Sequence, residues 1–425
     1  MTRINAVFVA TALVLAASAC SSSGSQQGSA STLEFAIFHD YSGPNAAYGP
    51  EASAGCFPAA RVINAAGGVL GHKISCVPVD AKGDPADAVP AANRLIAASP
   101  SLVGVLGGGS DDATAVVPLF EQARIPIFST TGQDSFDHAR YHYFWRILSP
   151  DGAQGYAMAA AAKKLGYTRV ATVFGNDAAA QGSAPTAIAG VHALGLSLAA
   201  SQSLAVGQPS YRSEAQRIGG ARPQAIISEA DPQTSATYFA EVAQLGTLPG
   251  LITDPVSQEP NWIKAMSGAV GSATLRAKDT AVVAYAPATT LAYRAYTAAL
   301  LASKSVVPGP AQWDADLYSV ADYDSIVIMA LAMIAAHSTS PATYNSFISK
   351  ITSPSAAATI VHTFAAGKAA LQAGKRIQYI GAVGPTVFNQ WHNSGQGFAM
   401  EQRTVSGSWR VVNVLTAAEV VAASR

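Results

Sequence analysis

Charge is scarce in this chain. Of 425 residues, only 12% are Asp, Glu, Lys or Arg, with 26 acids against 26 bases. The balance leaves no electrostatic footprint for nucleic acid. The scarcity, together with abundant alanine, implies helices that pack closely instead of carrying ion-pair networks. Cysteine is scarcer still, with three residues at 20, 56 and 76, none at metal-ligand spacing. The eight histidines are scattered. His138 and His142 lie four apart, but no carboxylate or cysteine arrangement completes a metal site. A Gly-x-Ser-x-Gly elbow is missing, which argues against a hydrolase of that class. The glycines of Gly104-Val105-Leu106-Gly107-Gly108-Gly109 lack dinucleotide spacing, and Asp111-Asp112 would oppose a pyrophosphate. After the N-terminal segment, no stretch reads as long and apolar enough to span a membrane. The expectation is therefore a protein without metal, cofactor or nucleic acid, and not an enzyme, since no acid–base–nucleophile set converges on one cleft.

What is present begins with a targeting pattern. Arg3 supplies a positive flank, and Ala6 to Ala17 form an apolar core ending in Ala17-Ser18-Ala19-Cys20. Small residues before a cysteine look like a bacterial lipobox, although alanine stands at 17 where leucine is more usual. The expectation is a lipoprotein signal over 1–20, lipid on Cys20, and a flexible Ser/Gly/Gln-rich tether over 21–32. In such an exported protein disulfides persist. Cys56 and Cys76 are then either a disulfide or two buried thiols.

The rest is organised around residues 33–85. Leu33, Phe35 and Ile37 alternate with Glu34 and Ala36 as in a short buried strand. Ala52, Cys56, Ala59, Ala60 and Ile63 mark one face of a helix, which stops at Gly67-Gly68. A second strand runs from Lys73 to Val79. Strand, helix, strand in this span is a βαβ unit and implies a parallel sheet. Asp84 reads as a helix cap with Pro85 at the first position. Pro58 and Pro90 fall inside helices they should kink or shorten. The alternation continues through strands near 102–106, 126–129, 143–147, 169–174, 197–204, 225–228 and 251–253, with a break near 148–151. Two strands, 397–404 and 409–415, close the chain. The fold class read from this pattern is α/β, with two doubly wound parallel-sheet lobes.

Several motifs stand in a family-specific order: Tyr41-Ser42-Gly43-Pro44, Tyr48-Gly49, Ile63 to Gly71, Asp84-Pro85, Tyr323-Asp324, and the terminal set Gly374, Tyr379, Gly381 to Pro385 and Phe388. Together they resemble the type I solute-binding proteins of ABC importers, the branched-chain amino-acid-binding class. The resemblance covers about 33–415 and is weakest over 255–320. It implies lobe 1 from 33–149 and 286–375, lobe 2 from 150–285 and 376–425, and a multi-strand hinge between them. It further implies an extracytoplasmic monomer that captures an amino acid, an amide or urea, or an aromatic acid by hinge closure and hands it to an ABC permease. The same fold also serves as a ligand sensor in signalling systems.

Open α/β sheets bind ligands beyond the carboxyl ends of their strands, so the candidate residues lie on those loops. In the family, loops matching Ser110 and Thr130-Thr131 present hydroxyls and backbone N–H groups to a ligand carboxylate. Ser110 and its neighbour Asp111 stand at a helix N-terminus, where an anion is favoured. The family also takes an acid from the second lobe for the ligand ammonium, a role that fits Asp254 or Glu229. Tyr48 matches an aromatic that covers the ligand. Asp177 and Tyr285 complete the set. A usual second aromatic is missing at Asp177-Ala178-Ala179, which leaves its place to another residue. The loop acids Asp111, Asp177, Glu229 and Asp254 outnumber bases, which leans toward a ligand with an amine or amide donor.

Overall fold

A computed structural model describes residues 32–43, 46–109, 112–246, 248–285, 289–394, 397–416, 419–420 and 423. The first sheet takes its strands from one run of βα units. These are β1 (Leu33–His39), α1 (Tyr48–Ala65), β2 (Ile74–Asp80), α2 (Pro85–Ala98), β3 (Leu102–Gly107), α3 (Ala113–Ala123), β4 (Ile127–Ser129) and β5 (Phe144–Arg146). All pairings are parallel, in the order β2-β1-β3-β4-β5. Strands buried on both faces read as near-continuous apolar runs, as β3 (Leu102 to Gly107) does along its whole length.

A second run repeats the pattern. It comprises α4 (Asp151–Lys164), β6 (Arg169–Gly175), α5 (Ala178–Ala193), β7 (Ser197–Leu204), α6 (Arg212–Ala221), β8 (Ala225–Glu229), α7 (Pro232–Gln244), β9 (Gly250–Thr253), α8 (Pro260–Val270), α9 (Ser272–Lys278) and β10 (Asp279–Ala284). After it come α10 (Leu291–Leu301), α11 (Leu317–Ala336), α12 (Pro341–Tyr344), α13 (Ile348–Thr352), β11 (Thr359–Val361), α14 (Phe364–Gln372), β12 (Ile377–Gly381), β13 (Gly384–Pro385), β14 (Phe398–Arg403) and β15 (Trp409–Leu415). The second sheet is ordered β15-β14-β10-β9-β8-β6-β7, with β14 and β15 antiparallel. Its parallel part, β7-β6-β8-β9-β10, has the same winding as the first sheet.

Helices cover both faces of each sheet. Residues of α1, α10, α11 and α14 share one apolar core with β1, while α2 and α3 share another with β1 and β3 on the opposite face. In the second lobe α4 and α5 lie on one side, and α6, α7 and α8 on the other. Helix α11 is 20 residues long and apolar enough to cross a membrane by length and composition, which corrects the expectation that no such segment follows the N-terminus. It is apolar all round because it is buried along nearly its whole length in the first core. Ile377, Tyr379, Ala382 and Val383 belong to that same core, so residues assigned from the sequence to the second lobe from 376 onward pack with the first. Pairing with the second sheet resumes at Phe398.

Pro58 and Pro90 lie inside α1 and α2, which run on unbroken by either residue. Each ring removes a backbone donor and is expected to cost about 3 kcal/mol in an isolated helix. The packed face of α1, from Ala52 through Ile63, outweighs that. Asp84 caps α2 as expected, accepting the Ala86 N–H at 2.7 Å. Cys56 on α1 and Cys76 on β2 form a disulfide with Cα atoms 6.1 Å apart, tying the helix to the edge strand.

The chain crosses between lobes after Arg146, after Ala284 and between Pro385 and Phe398. Arg146 is fully buried at the first crossing. Its guanidinium donates to the Gln133 carbonyl at 2.8 Å and to Asn393 Oδ1 at 3.0 Å, and pairs with Asp137. Asn393 in turn donates to the carbonyls of Phe136 and Asp137. One cation thus fastens two crossings together.

Candidate functional site

A cavity of about 220 Å³ opens where the carboxyl ends of the two sheets face each other. From the first lobe come His39 at the end of β1, Gly109 after β3, and Thr130, Thr131 and Gly132 after β4. Tyr48 and Glu51 from α1, and Leu317, Tyr318 and Asp322 from α11, complete that wall. The second lobe contributes Asp151 and Gln154 from α4, Ser183 from α5, Glu229, Asp254 and Val256.

Tyr48, Thr130, Thr131, Glu229 and Asp254 were candidates from the sequence, and they meet here. Ser110 and Asp111 lie outside the described residues, as does Cys20. Two candidates are placed elsewhere. Asp177 caps α5, accepting the Ala180 N–H at 3.0 Å, because an Asx side chain just before a helix satisfies its free amides. Tyr285 packs with Trp409 against a small cluster of Ala281, Val283 and Ala399.

Local chemistry holds the liners in place. Asp254 accepts the Val256 N–H at 3.1 Å, so it caps the turn that begins at Pro255 while lining the cavity. The Thr131 N–H donates to Ser129 Oγ at 3.0 Å, and that hydroxyl donates to the Gly108 carbonyl at 2.7 Å. This network fixes the loop after β4. Gln154 spends its amide on the Val282 carbonyl at 2.7 Å. Gly132 is required by Asp151: a Cβ on Gly132 would come 1.6 Å from Asp151 Oδ1. Gly55 serves the other wall, where its missing Cβ would meet Asp322 Cβ at 2.5 Å, so α1 and α11 approach closely enough to set Glu51 beside Asp322.

The sequence reading missed Glu51, Asp151 and Asp322. They sit on helices instead of strand-end loops, and Glu51 meets Asp322 only through the α1–α11 packing. It also missed Tyr318, whose half-exposed ring faces the cavity and supplies a second aromatic beside Tyr48. The signal available was Tyr318 and Asp322 four apart, one turn of helix.

Electrostatics at the site are one-sided. Burial raises the Asp151 carboxyl to about 6, a shift that Arg146 partly opposes. Burial raises Asp254 to about 7, with the Val256 N–H pulling the other way. Glu229 is pushed well up by burial and then by the charge of Asp254. Glu51 and Asp322 are pushed well up by burial and then by Asp316. Burial lowers His39 to about 4, so its imidazole is neutral near neutral pH. The arrangement suits hydrogen-bond donors carrying positive charge.

Residues 32–401 match the model of the family described as periplasmic binding protein. The chain belongs to that family. No curated protein matches this periplasmic binding protein in sequence. Among solved structures it is similar to the branched-chain amino acid transporter substrate-binding protein LivJ of Streptococcus pneumoniae in complex with isoleucine. That match has 17% identity, covers 91% of this chain and 99% of that one, and has a TM-score of 0.66. The leucine-binding protein LivK of Thermotoga maritima matches at 16% identity, 91% and 99% coverage and a TM-score of 0.67. A Rhodopseudomonas palustris ABC transporter solute-binding protein in complex with 4-hydroxybenzoate matches at 16% identity, 91% and 97% coverage and a TM-score of 0.68. At these identities the likeness is one of fold: α/β lobes of the type I periplasmic binding kind.

Proposed function

We propose that this periplasmic binding protein is the extracytoplasmic, lipid-anchored substrate-binding component of an ABC importer. It captures a small polar solute, an amino acid before an amide, urea or aromatic acid, and delivers it to a membrane permease. The observation that carries the reading is the cavity itself: strand-end loops and helix starts from both lobes line one volume sized for a small molecule. A solute held by both walls favours the closed form by contacts made only when the lobes meet. Burial away from water strengthens those contacts. Lipid on Cys20 would keep the monomer beside its permease.

The test is a thermal-shift screen of the full-length protein against amino acids, small amides, urea and aromatic carboxylates. A solute that binds only the folded state raises the melting temperature by mass action. A concentration-dependent rise with one class supports the reading, and a flat response across the panel counts against it. Anchoring is tested separately: Cys20→Ala should release the protein from the membrane fraction, and retention would refute it.

A further inference from the structure

Five carboxylates line this cavity, each from a different element: Glu51, Asp151, Glu229, Asp254 and Asp322. Among its described lining residues there is no Lys or Arg. The neighbouring guanidinium, Arg146, is committed to Asp137, Gln133 and Asn393. Burying like charges together is costly unless something positive joins them. An independent sign of a missing partner comes from Glu229. The residue is 8% exposed, and its Oε2 is buried with no hydrogen-bond partner among the described residues. Buried polar atoms are rarely left so without reason.

The acids form two groups. Asp151, Glu229 and Asp254 belong to the second lobe, Glu51 and Asp322 to the first. Between them Leu148, Leu317 and Phe398 supply apolar surface, and Tyr48 and Tyr318 present half-exposed rings able to take a cation on their faces. We infer that the captured solute carries two cationic nitrogen centres joined by a short methylene chain, one centre held by each acid group: a diamine or a basic amino acid. This rests on the solute-binding reading and names its substrate class. A neutral aliphatic amino acid would leave one acid group unanswered, and an aromatic acid would bring its carboxylate into the field of both.

The experiment is calorimetric titration of the full-length protein near neutral pH with cadaverine, putrescine, lysine, leucine and 4-hydroxybenzoate. At least one of the first three should bind about 30-fold or more tightly than leucine, the scale set by leaving a buried charge unpaired. Lysine above cadaverine would add a carboxylate contact, and cadaverine at or above lysine would identify a diamine site; either supports the inference. Asp322→Asn and Glu229→Gln should each cost the dication about 30-fold, while butylamine, with one charge, should respond to only one of them. Tight binding of leucine or 4-hydroxybenzoate without the dications overturns the inference and leaves the solute-binding reading intact. If none of the five binds, the inference falls; the solute-binding reading falls with it only if the thermal-shift panel is flat as well. The comparison on the unaltered protein decides the matter even where a variant does not fold.

Discussion

Asp324 is the buried carboxylate whose removal should be felt most outside the cavity. It stands on α11 at 0% exposure. Its Oδ1 accepts the Tyr379 hydroxyl at 2.7 Å, and its Oδ2 accepts the Val383 N–H at 2.7 Å. It therefore ties the first-lobe core helix to β12 and the turn that follows. Gly381 makes room for it, since a Cβ there would lie 2.3 Å from the Asp324 carboxyl carbon. Asp324→Ala strands two buried donors, each costing about 1–3 kcal/mol, so the loss should be roughly 2–6 kcal/mol. Asp324→Asn keeps one acceptor and turns an amide N–H toward a donor, so it should lose about half as much. Burial raises the carboxyl to about 6 in spite of both hydrogen bonds. The folded state then holds this proton at pH values where the unfolded chain has released it. The group's stabilising contribution is complete below pH ~3.8 and is lost as pH rises through ~6; Asn should remove that slope. The assay is urea unfolding followed by fluorescence of Trp145, which lies in the same core, with Tyr379→Phe closing a double-mutant cycle. Asp324→Ala within about 0.5 kcal/mol of the parent, the usual spread for a surface change, would refute the reasoning.

Reduction of Cys56–Cys76 reopens a loop of sequence separation 20. By the chain-entropy model it should destabilise the first lobe by about 3 kcal/mol, read as a lower urea midpoint in dithiothreitol that Cys56→Ala/Cys76→Ala reproduces; an unchanged midpoint would count against the bond. The solute-free protein should lose stability as pH rises from about 4 to about 7, because Asp254 and Asp279 are each raised to about 7 by burial and the folded state binds more protons across that window. Melting temperatures across the range check this, and a rise toward pH 7 would contradict it. Tyr318→Ala should lower solute affinity about tenfold, a cation–π-scale loss, with little change in melting temperature, since the residue is 37% exposed and lines the cavity. Equal loss of both would place the ring in the core.

Much of the architecture was legible because period-2 and period-3.6 patterns are local. The βαβ unit from Leu33 to Val79 and the closing strands read directly from alternation and glycine stops. Strand β10 was not legible. Its apolar run, Thr280 to Ala284, is short and sits between alanine-rich helices, where helix and strand patterns look alike. Proline rules pointed the wrong way at Pro58 and Pro90, where tertiary burial overrides a local cost. Site residues divided along the same line. Glu229 and Asp254 are strand-end acids, and the topological rule found them. Glu51 and Asp322 are 271 positions apart and become neighbours only because Gly55 lets two helices touch, a fact that no single-helix pattern contains.

That division bears on how the lobes close. Of the acids lining the cavity, those that the topological rule finds lie on the second lobe; those it misses, apart from Asp151, lie on the first. Both walls therefore carry carboxyl groups, and bringing them together without a solute would set like charges against each other wherever both walls are ionised. On the proposed hinge-closure reading, closure of the empty protein would be opposed by the very groups that line the cavity, and their raised proton affinity would relieve that opposition. Moving a two-state protein from almost all open to almost all closed takes about 5.5 kcal/mol of differential binding. Two desolvated charge pairs, at about 2–5 kcal/mol each, span that value, and one falls short of it. A solute that answers only one wall would occupy the site without committing the lobes. On the proposed reading, the acid pair on α1 and α11 would make the difference between binding a cation and closing on it.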